Sequence, residues 1–314
     1  MMYAFRRFVH SVLLLFGVSV LSFLVSSLAP GDYYTEMQSD PRVSRQTLAA
    51  LRTENGLDRP LPVRYAIWLE SVARGEFGYS LAYHGPVGPL LAQRIPGTLL
   101  LTATATALAW ILALPLGIWS AARRGAWPDL SLKVIASVLL ATPELLMMIA
   151  LLAWAVQTGC LPVGGMHSPG NSSASDLIRH LILPVSVLTL GLLPVLIRHV
   201  RTAITETMNA PFALAARAHG IPPRRLLYRH LLPAALNPLI SLFGFSLGTL
   251  LSASLLVEVI AGWPGLGPLF LEAIFARDHA LVIGVVMIST AFLIAGNLIA
   301  DLLLYRADPR IRMT

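Results

Sequence analysis

Six long apolar runs constrain this chain more than any other feature. They span Phe8–Ala29, Thr98–Trp119, Val134–Val156, Leu181–Ile197, Leu239–Ile260 and Leu281–Leu304. A helix needs about 20 apolar residues to cross roughly 30 Å of hydrocarbon. In that medium every backbone group must be satisfied within the protein, so helices are the natural solution. The fourth run is the shortest and carries Pro184 and Pro194, which membrane helices tolerate. The chain is 56% hydrophobic and 12% charged, against about 45–50% and about 25% for soluble domains. An all-α polytopic membrane protein with six transmembrane helices is expected, as a single transmembrane domain over residues 1–314. The first run follows Arg6 and Arg7 and is too long for a signal-peptide core, so it reads as a retained signal anchor.

Charge sets the direction. With the N-terminus inside, the inner segments carry fourteen basic residues against three acids, Asp129, Glu206 and Asp308. The long outer segment, residues 30–97, has seven arginines and seven acids. Positive-inside asymmetry therefore places both termini in the cytoplasm. The net charge of +7 belongs to this pattern and not to a nucleic-acid surface, because the basic residues lie between apolar runs. The longest inner loop, residues 198–238, holds the segment LAARAHGIPPRRLLYRHLLPAALNP, with four arginines and two histidines. By charge alone this is either an ordinary positive-inside loop or a more specialised contact.

The 30–97 segment is too long for a bare loop. Ser44 suits a helix N-cap and Gly56 a helix stop. Pro62 can open a second helix, in which Tyr65, Trp68, Leu69 and Val72 share a face. Such a stripe is a packing face, a surface lying along the membrane or, less simply, a contact for an external partner.

Motif chemistry is sparse. There is no G-x-x-x-x-G-K-[ST], and the single lysine, Lys133, follows no glycine-rich loop, so no Walker-type ATP site is expected. Neither H-E-x-x-H nor G-x-S-x-G occurs. One cysteine, Cys160, excludes an intramolecular disulfide, and no zinc-type spacing exists. Glu144 stands out because an ionisable group within a span is costly. It follows Pro143. It either faces a translocation path or an interhelical partner, or it caps the break that Pro143 makes. Glu258 and Asp301, near span ends, suit anchoring or pairing.

The inner loop resembles the EAA loop of binding-protein-dependent ABC importer permeases, which reads roughly E-A-A-x3-G-x9-I-x-L-P. Leu214-Ala215-Ala216 stands at E-A-A, Gly220 follows at the same offset, and Leu232-Pro233 closes it. The glutamate is absent, as in one branch whose loop reads approximately A-R-A-K-G-x3-R-R-x4-H. Here Ala216-Arg217-Ala218-His219-Gly220, Arg224-Arg225 and His230 follow that form. SLAPGD (27–32), GLDRPLPVRYAIWL (56–69), GEFGYS (75–80), RIPGTLLL (94–101), VEVIAGWPGLGPLF (257–270) and ARDHALVIGVVM (276–287) resemble the same branch in order. That branch is the B-type permease subunit of dipeptide, oligopeptide and nickel importers. Ala280 departs from its usual proline.

The resemblance implies a type I ABC importer permease fold with a partly helical extracytoplasmic segment after the first helix. It implies a coupling helix at 212–233 that docks on an ATPase subunit through Phe212, Ala215, Ala216, Arg217, Gly220, Arg224, Arg225, His230 and Pro233, with Glu144 a candidate for the path. The chain itself would be non-catalytic and bind no cofactor or metal; ATP and magnesium would sit on the partner ATPase subunits. Implied partners are a second, C-type permease, two ATPase subunits, an extracytoplasmic solute-binding protein and membrane lipid, in a bacterial inner membrane. The solute would be a di- or oligopeptide, or alternatively nickel, a metal chelate or glutathione. A secondary transporter or channel is the reading from another class, and an intramembrane enzyme a more distant one. A secondary transporter would usually show inverted repeats and several buried ionisable residues.

Overall fold

The computed structural model describes residues 2–28, 31–35 and 44–307. The C-terminal DPRIR stretch (308–312), which by sequence also resembles the tail of that permease branch, lies outside them. Two compact units are formed. One comprises Met1–Thr98 and Pro264–Ala291, the other Leu99–Trp263 and Phe292–Thr314.

The first unit begins with α1 (Met2–Leu28), α2 (Arg45–Glu54) and α3 (Leu61–Ala73). Ser44 caps α2 as its sequence suggests, its hydroxyl accepting from the Thr47 N–H at 3.0 Å. Gly56 follows the end of α2 with φ +65°, a left-handed conformation that glycine adopts without Cβ strain. Pro62 lies in the first turn of α3. The aromatic stripe is a packing face: Trp68 is buried with Phe23 of α1 and Ile283, while Tyr65 and Val72 pack beside them. Leu69, assigned to the same face by spacing, is instead exposed, because the buried arc is narrower than the stripe.

A small hairpin, β1 (Tyr79–Ser80) and β2 (Gly85–Pro86), leads into α4 (Val87–Ala122). It is pinned to the start of α12 (His279–Ala307) by Asp278. That carboxylate accepts from Ser80 Oγ at 2.6 Å, the Ala82 N–H at 3.1 Å and the Leu281 N–H at 3.1 Å. The last bond makes Asp278 the N-cap of α12, satisfying a donor that the helix itself cannot. A ten-residue helix absent from the six apolar runs, α11 (Leu266–Phe275), precedes it. The first N–H of α11 donates to buried Thr98 Oγ1 at 2.8 Å.

In the second unit α4 presents Leu101, Ala105, Ala109 and Ala113, all fully buried. This i, i+4 row lets another helix approach closely. Gly117 continues it, and a Cβ there would lie 2.6 Å from Val200. Val200 belongs to α7 (Ala174–Asn209), the core helix, which contributes buried Val187, Leu188, Leu192 and Leu196. This helix runs through both Pro184 and Pro194 and is much longer than the apolar run that marked it. Ser173 caps it.

The third apolar run is not one straight helix. α5 (Trp127–Ala141) and α6 (Glu144–Thr158) meet at an angle of 94°. Pro143 cannot donate an N–H and disfavours helical backbone at the residue before it; Thr142 is accordingly extended. Five described helices are long and apolar enough to span a membrane, and the bent pair makes six.

Candidate functional site

The loop after α7 contains the residues singled out by spacing. Pro211 biases the residue before it toward extended backbone. Ala210 takes ψ 148° and α7 ends. Pro211 then starts α8 (Pro211–Ala218) at its first turn, where its missing N–H costs nothing.

The end of α8 is a Schellman turn. The Gly220 N–H donates to the Arg217 carbonyl at 2.9 Å and the Ile221 N–H to the Ala216 carbonyl at 3.1 Å. Gly220 has φ +75°, the position where such turns favour glycine. Ile221 and Ala216 supply the apolar contact that accompanies the motif. Pro222 is extended and Pro223 opens α9 (Pro223–Leu226).

A π-helical turn, Leu227–Leu231, follows and leads directly into α10 (Leu232–Ile260). The Leu232 N–H bonds to the Leu227 carbonyl, five residues back. Pro233 sits just after it, and a proline ring clashes with the carbonyl four residues earlier, here Arg229. Widening the turn moves that carbonyl aside. Pro233 therefore does not interrupt the helix, which passes from the π turn through it into α10.

Ala213, Leu226 and Leu231 are buried at the base of the loop, with Met208, Ala216, Ile221 and Leu227 packed around them. This small core fixes the orientation of both short helices. Phe212, Ala215, Arg217, Gly220, Arg224, Arg225 and Pro233 are exposed, whereas Ala216 and His230 are half-buried. The nine residues thus divide into an outward set and an inward pair. Sequence spacing missed two further members of the outward surface, Leu214 at 55% exposure and Tyr228 at 67%. Their signal was available: both are large apolar side chains in a segment too polar to lie in lipid. Among the described residues no carboxylate pairs with Arg217, Arg224, Arg225 or Arg229. The loop therefore offers free guanidinium groups beside apolar side chains, a combination suited to a protein partner with acidic groups or helix C-termini.

Glu144 is placed elsewhere, at the first residue of α6, with Pro143 as the N-cap. It is half-buried. Its carboxylate lies against Gly191 of α7, where any Cβ would collide with it. Among the described residues its carboxylate has no hydrogen-bond partner. It does not cap the break through a side-chain bond, although a carboxylate at the first turn is favourable to the helix dipole.

The long apolar helices, with a compact proline- and glycine-bounded loop between the fourth and fifth spans, define a multi-pass membrane permease. The chain belongs to the family described as binding-protein-dependent transport system inner membrane component, which matches residues 113–313. The N-terminal component of the same systems matches residues 1–102. The chain is 36% identical over 312 residues to the oligopeptide transport system permease protein AppB of Bacillus subtilis, covering 98% of each chain. It is 32% identical over 317 residues to the di/tripeptide transport system permease protein DppB of Pseudomonas aeruginosa, covering 95% of this chain and 94% of that one. Among solved structures, an inward-facing form of the MetNI methionine ABC transporter matches with TM-score 0.56 and 21% identity, over 70% of this chain and 96% of that chain. That likeness concerns the fold.

Proposed function

We propose that this chain is one of two permease subunits of an ATP-driven importer for di- or oligopeptides or similar small solutes. An external binding protein delivers the solute, and a second, C-type permease completes the path. The loop from Pro211 to Pro233 docks on an ATPase subunit; ATP and magnesium are bound there and not by this chain. Both termini and the loop are cytoplasmic. Glu144, at the bend between α5 and α6, is the candidate path residue.

The observation that carries this reading is the outward surface of α8 and α9. Phe212, Ala215, Arg217, Arg224 and Arg225 are exposed together, on helices held by the buried Ala213, Leu226 and Leu231. Coupling between two sites needs a rigid element whose position differs between two states. A short helix closed by the Gly220 turn and fixed by its own core meets that need. The relatives' peptide-permease names support the solute class.

Site-directed cross-linking tests the docking. Cys160 is the sole native cysteine; it is replaced by serine, and one cysteine is placed at Ala215. In membranes carrying the assembled system, Ala215→Cys should cross-link to the ATPase subunit in a nucleotide-dependent manner. Absence of that product, with intact assembly by co-purification, would refute the docking site. Peptide uptake competed by nickel or glutathione instead of peptides would refute the solute class.

A further inference from the structure

A second cationic site lies away from the coupling loop. A cavity of about 340 Å³ lies between α5 and α7. Lys133, Ala136, Ser137 and Leu140 line it from α5, and Pro194, Ile197, Arg198 and Arg201 from α7. Each set follows i, i+3, i+4, i+7 spacing, so each is one helical stripe about 10 Å long. The two stripes have the same polarity of character. Lys133 and Arg201 meet at one end, where both donate to Asp129, at 2.9 and 2.7 Å. Leu140 and Pro194 stand at the opposite ends. The cavity is therefore cationic at one extremity and apolar at the other.

Charge does not balance within it. Lys133, Arg198 and Arg201 line it; Lys133 and Arg201 share one carboxylate, Asp129, which leaves two positive charges among the three. Among the described residues no carboxylate pairs with Arg198. Exposed tryptophans mark the level of this cationic end. Trp127 opens α5 and is 77% exposed, and Trp119 lies near the end of α4 with the Arg123 guanidinium 5.7 Å from its ring centroid. Tryptophan and arginine so placed sit at the headgroup level of a bilayer.

We propose that this cavity is a binding site for the phosphate of an anionic phospholipid, with the proximal acyl chain against Leu140 and Pro194. Basic pockets between membrane helices at the interface suit that chemistry. A free phosphate would use the cationic end alone and leave the apolar half wet. The site is independent of the docking loop and of the solute.

The sequence supplies its own probe. Lys133 is the only lysine, so an amine-selective reagent reads this cavity through one side chain, resolved from the α-amine by peptide mass. The full-length chain is reconstituted in phosphatidylcholine nanodiscs, with or without phosphatidylglycerol, and Lys133 labelling is followed by mass spectrometry. Phosphatidylglycerol should slow labelling, and Arg198→Gln should weaken that protection by about fivefold, the worth of one basic side chain toward anionic lipid. Ser137→Leu, which fills the cavity without changing charge, should also remove the protection. Equal labelling in both nanodiscs overturns the proposal. So does protection by inorganic phosphate in phosphatidylcholine alone, which assigns a free anion. Protection that survives both substitutions overturns it as well, since it then reflects surface potential. Both variants are checked for native size-exclusion profiles before labelling.

Discussion

Arg201 grips Asp129 with two parallel hydrogen bonds, Nε to Oδ1 at 2.7 Å and Nη2 to Oδ2 at 3.1 Å. The carboxylate also accepts from Ser120 Oγ at 2.6 Å, the Gly125 N–H at 2.9 Å and Lys133 Nζ at 2.9 Å. Asp129 is fully buried. Three helices and the turn between two of them are joined at one side chain.

That junction predicts a stability effect. Asp129→Ala leaves the Arg201 guanidinium without its carboxylate and should destabilise by about 3 kcal/mol or more. Arg201→Lys keeps the charge but loses the two-pronged geometry, so its cost should be smaller. Thermal unfolding of the purified chain in detergent ranks the two. A loss for Arg201→Lys that equals or exceeds that for Asp129→Ala would contradict the assignment.

The Gly220 turn separates backbone strain from surface chemistry. No heavy atom lies within 4 Å of a Cβ built there, so substitution costs only the left-handed backbone, about 1–2 kcal/mol. Gly220→Ala should retain insertion and most transport. Gly220→Glu adds an anion among Arg217, Arg224 and Arg225 and should abolish transport while leaving insertion intact. A proline within 213–218 breaks α8 and should do the same. Uptake assays beside membrane-fraction blots check all three; wild-type uptake in Gly220→Glu would contradict the role given to the loop.

Glu144 and Gly191 should be coupled. Gly191→Ala displaces the carboxylate from its seat, whereas in a Glu144→Ala background the added methyl meets no carboxylate. A double-mutant cycle on unfolding should give an interaction energy of about 1 kcal/mol. Additive effects would show that the two residues do not depend on one another. If Glu144 faces the path, Glu144→Gln alters uptake kinetics with little change in melting temperature.

Asp278 predicts a local failure in the first unit. Asp278→Ala removes the α12 cap and strands the buried Ser80 hydroxyl, at a cost of about 2 kcal/mol. Asp278→Asn keeps an acceptor for the cap and should be milder. Limited proteolysis between residues 76 and 86 should speed up in the alanine variant first, with the second unit still resistant.

Much of this protein is local information. The spans were legible as apolar runs because hydrocarbon demands about 20 such residues wherever the chain folds. Ser44, Gly56, Gly220 and Pro223 were legible as punctuation because capping and left-handed turns involve residues within five of one another. The segment with EAA-like spacing is local in the same sense: it folds on itself, around Ala213, Leu226 and Leu231.

Other features required the tertiary structure. Asp129 looked like one of three acids scattered among inner basic residues, and nothing near it in sequence names Arg201, 72 positions away. Pro143 breaks its apolar run by 94° while Pro184 and Pro194 leave α7 continuous, although all three are prolines in apolar sequence. Gly191 became informative only with the Glu144 carboxylate lying against it. Sequence by itself determined which segments enter the membrane and where the chain turns, because solvation and backbone sterics act residue by residue. Tertiary structure alone decided which buried charges meet and which glycines make room, because those depend on the packing of helices distant along the chain.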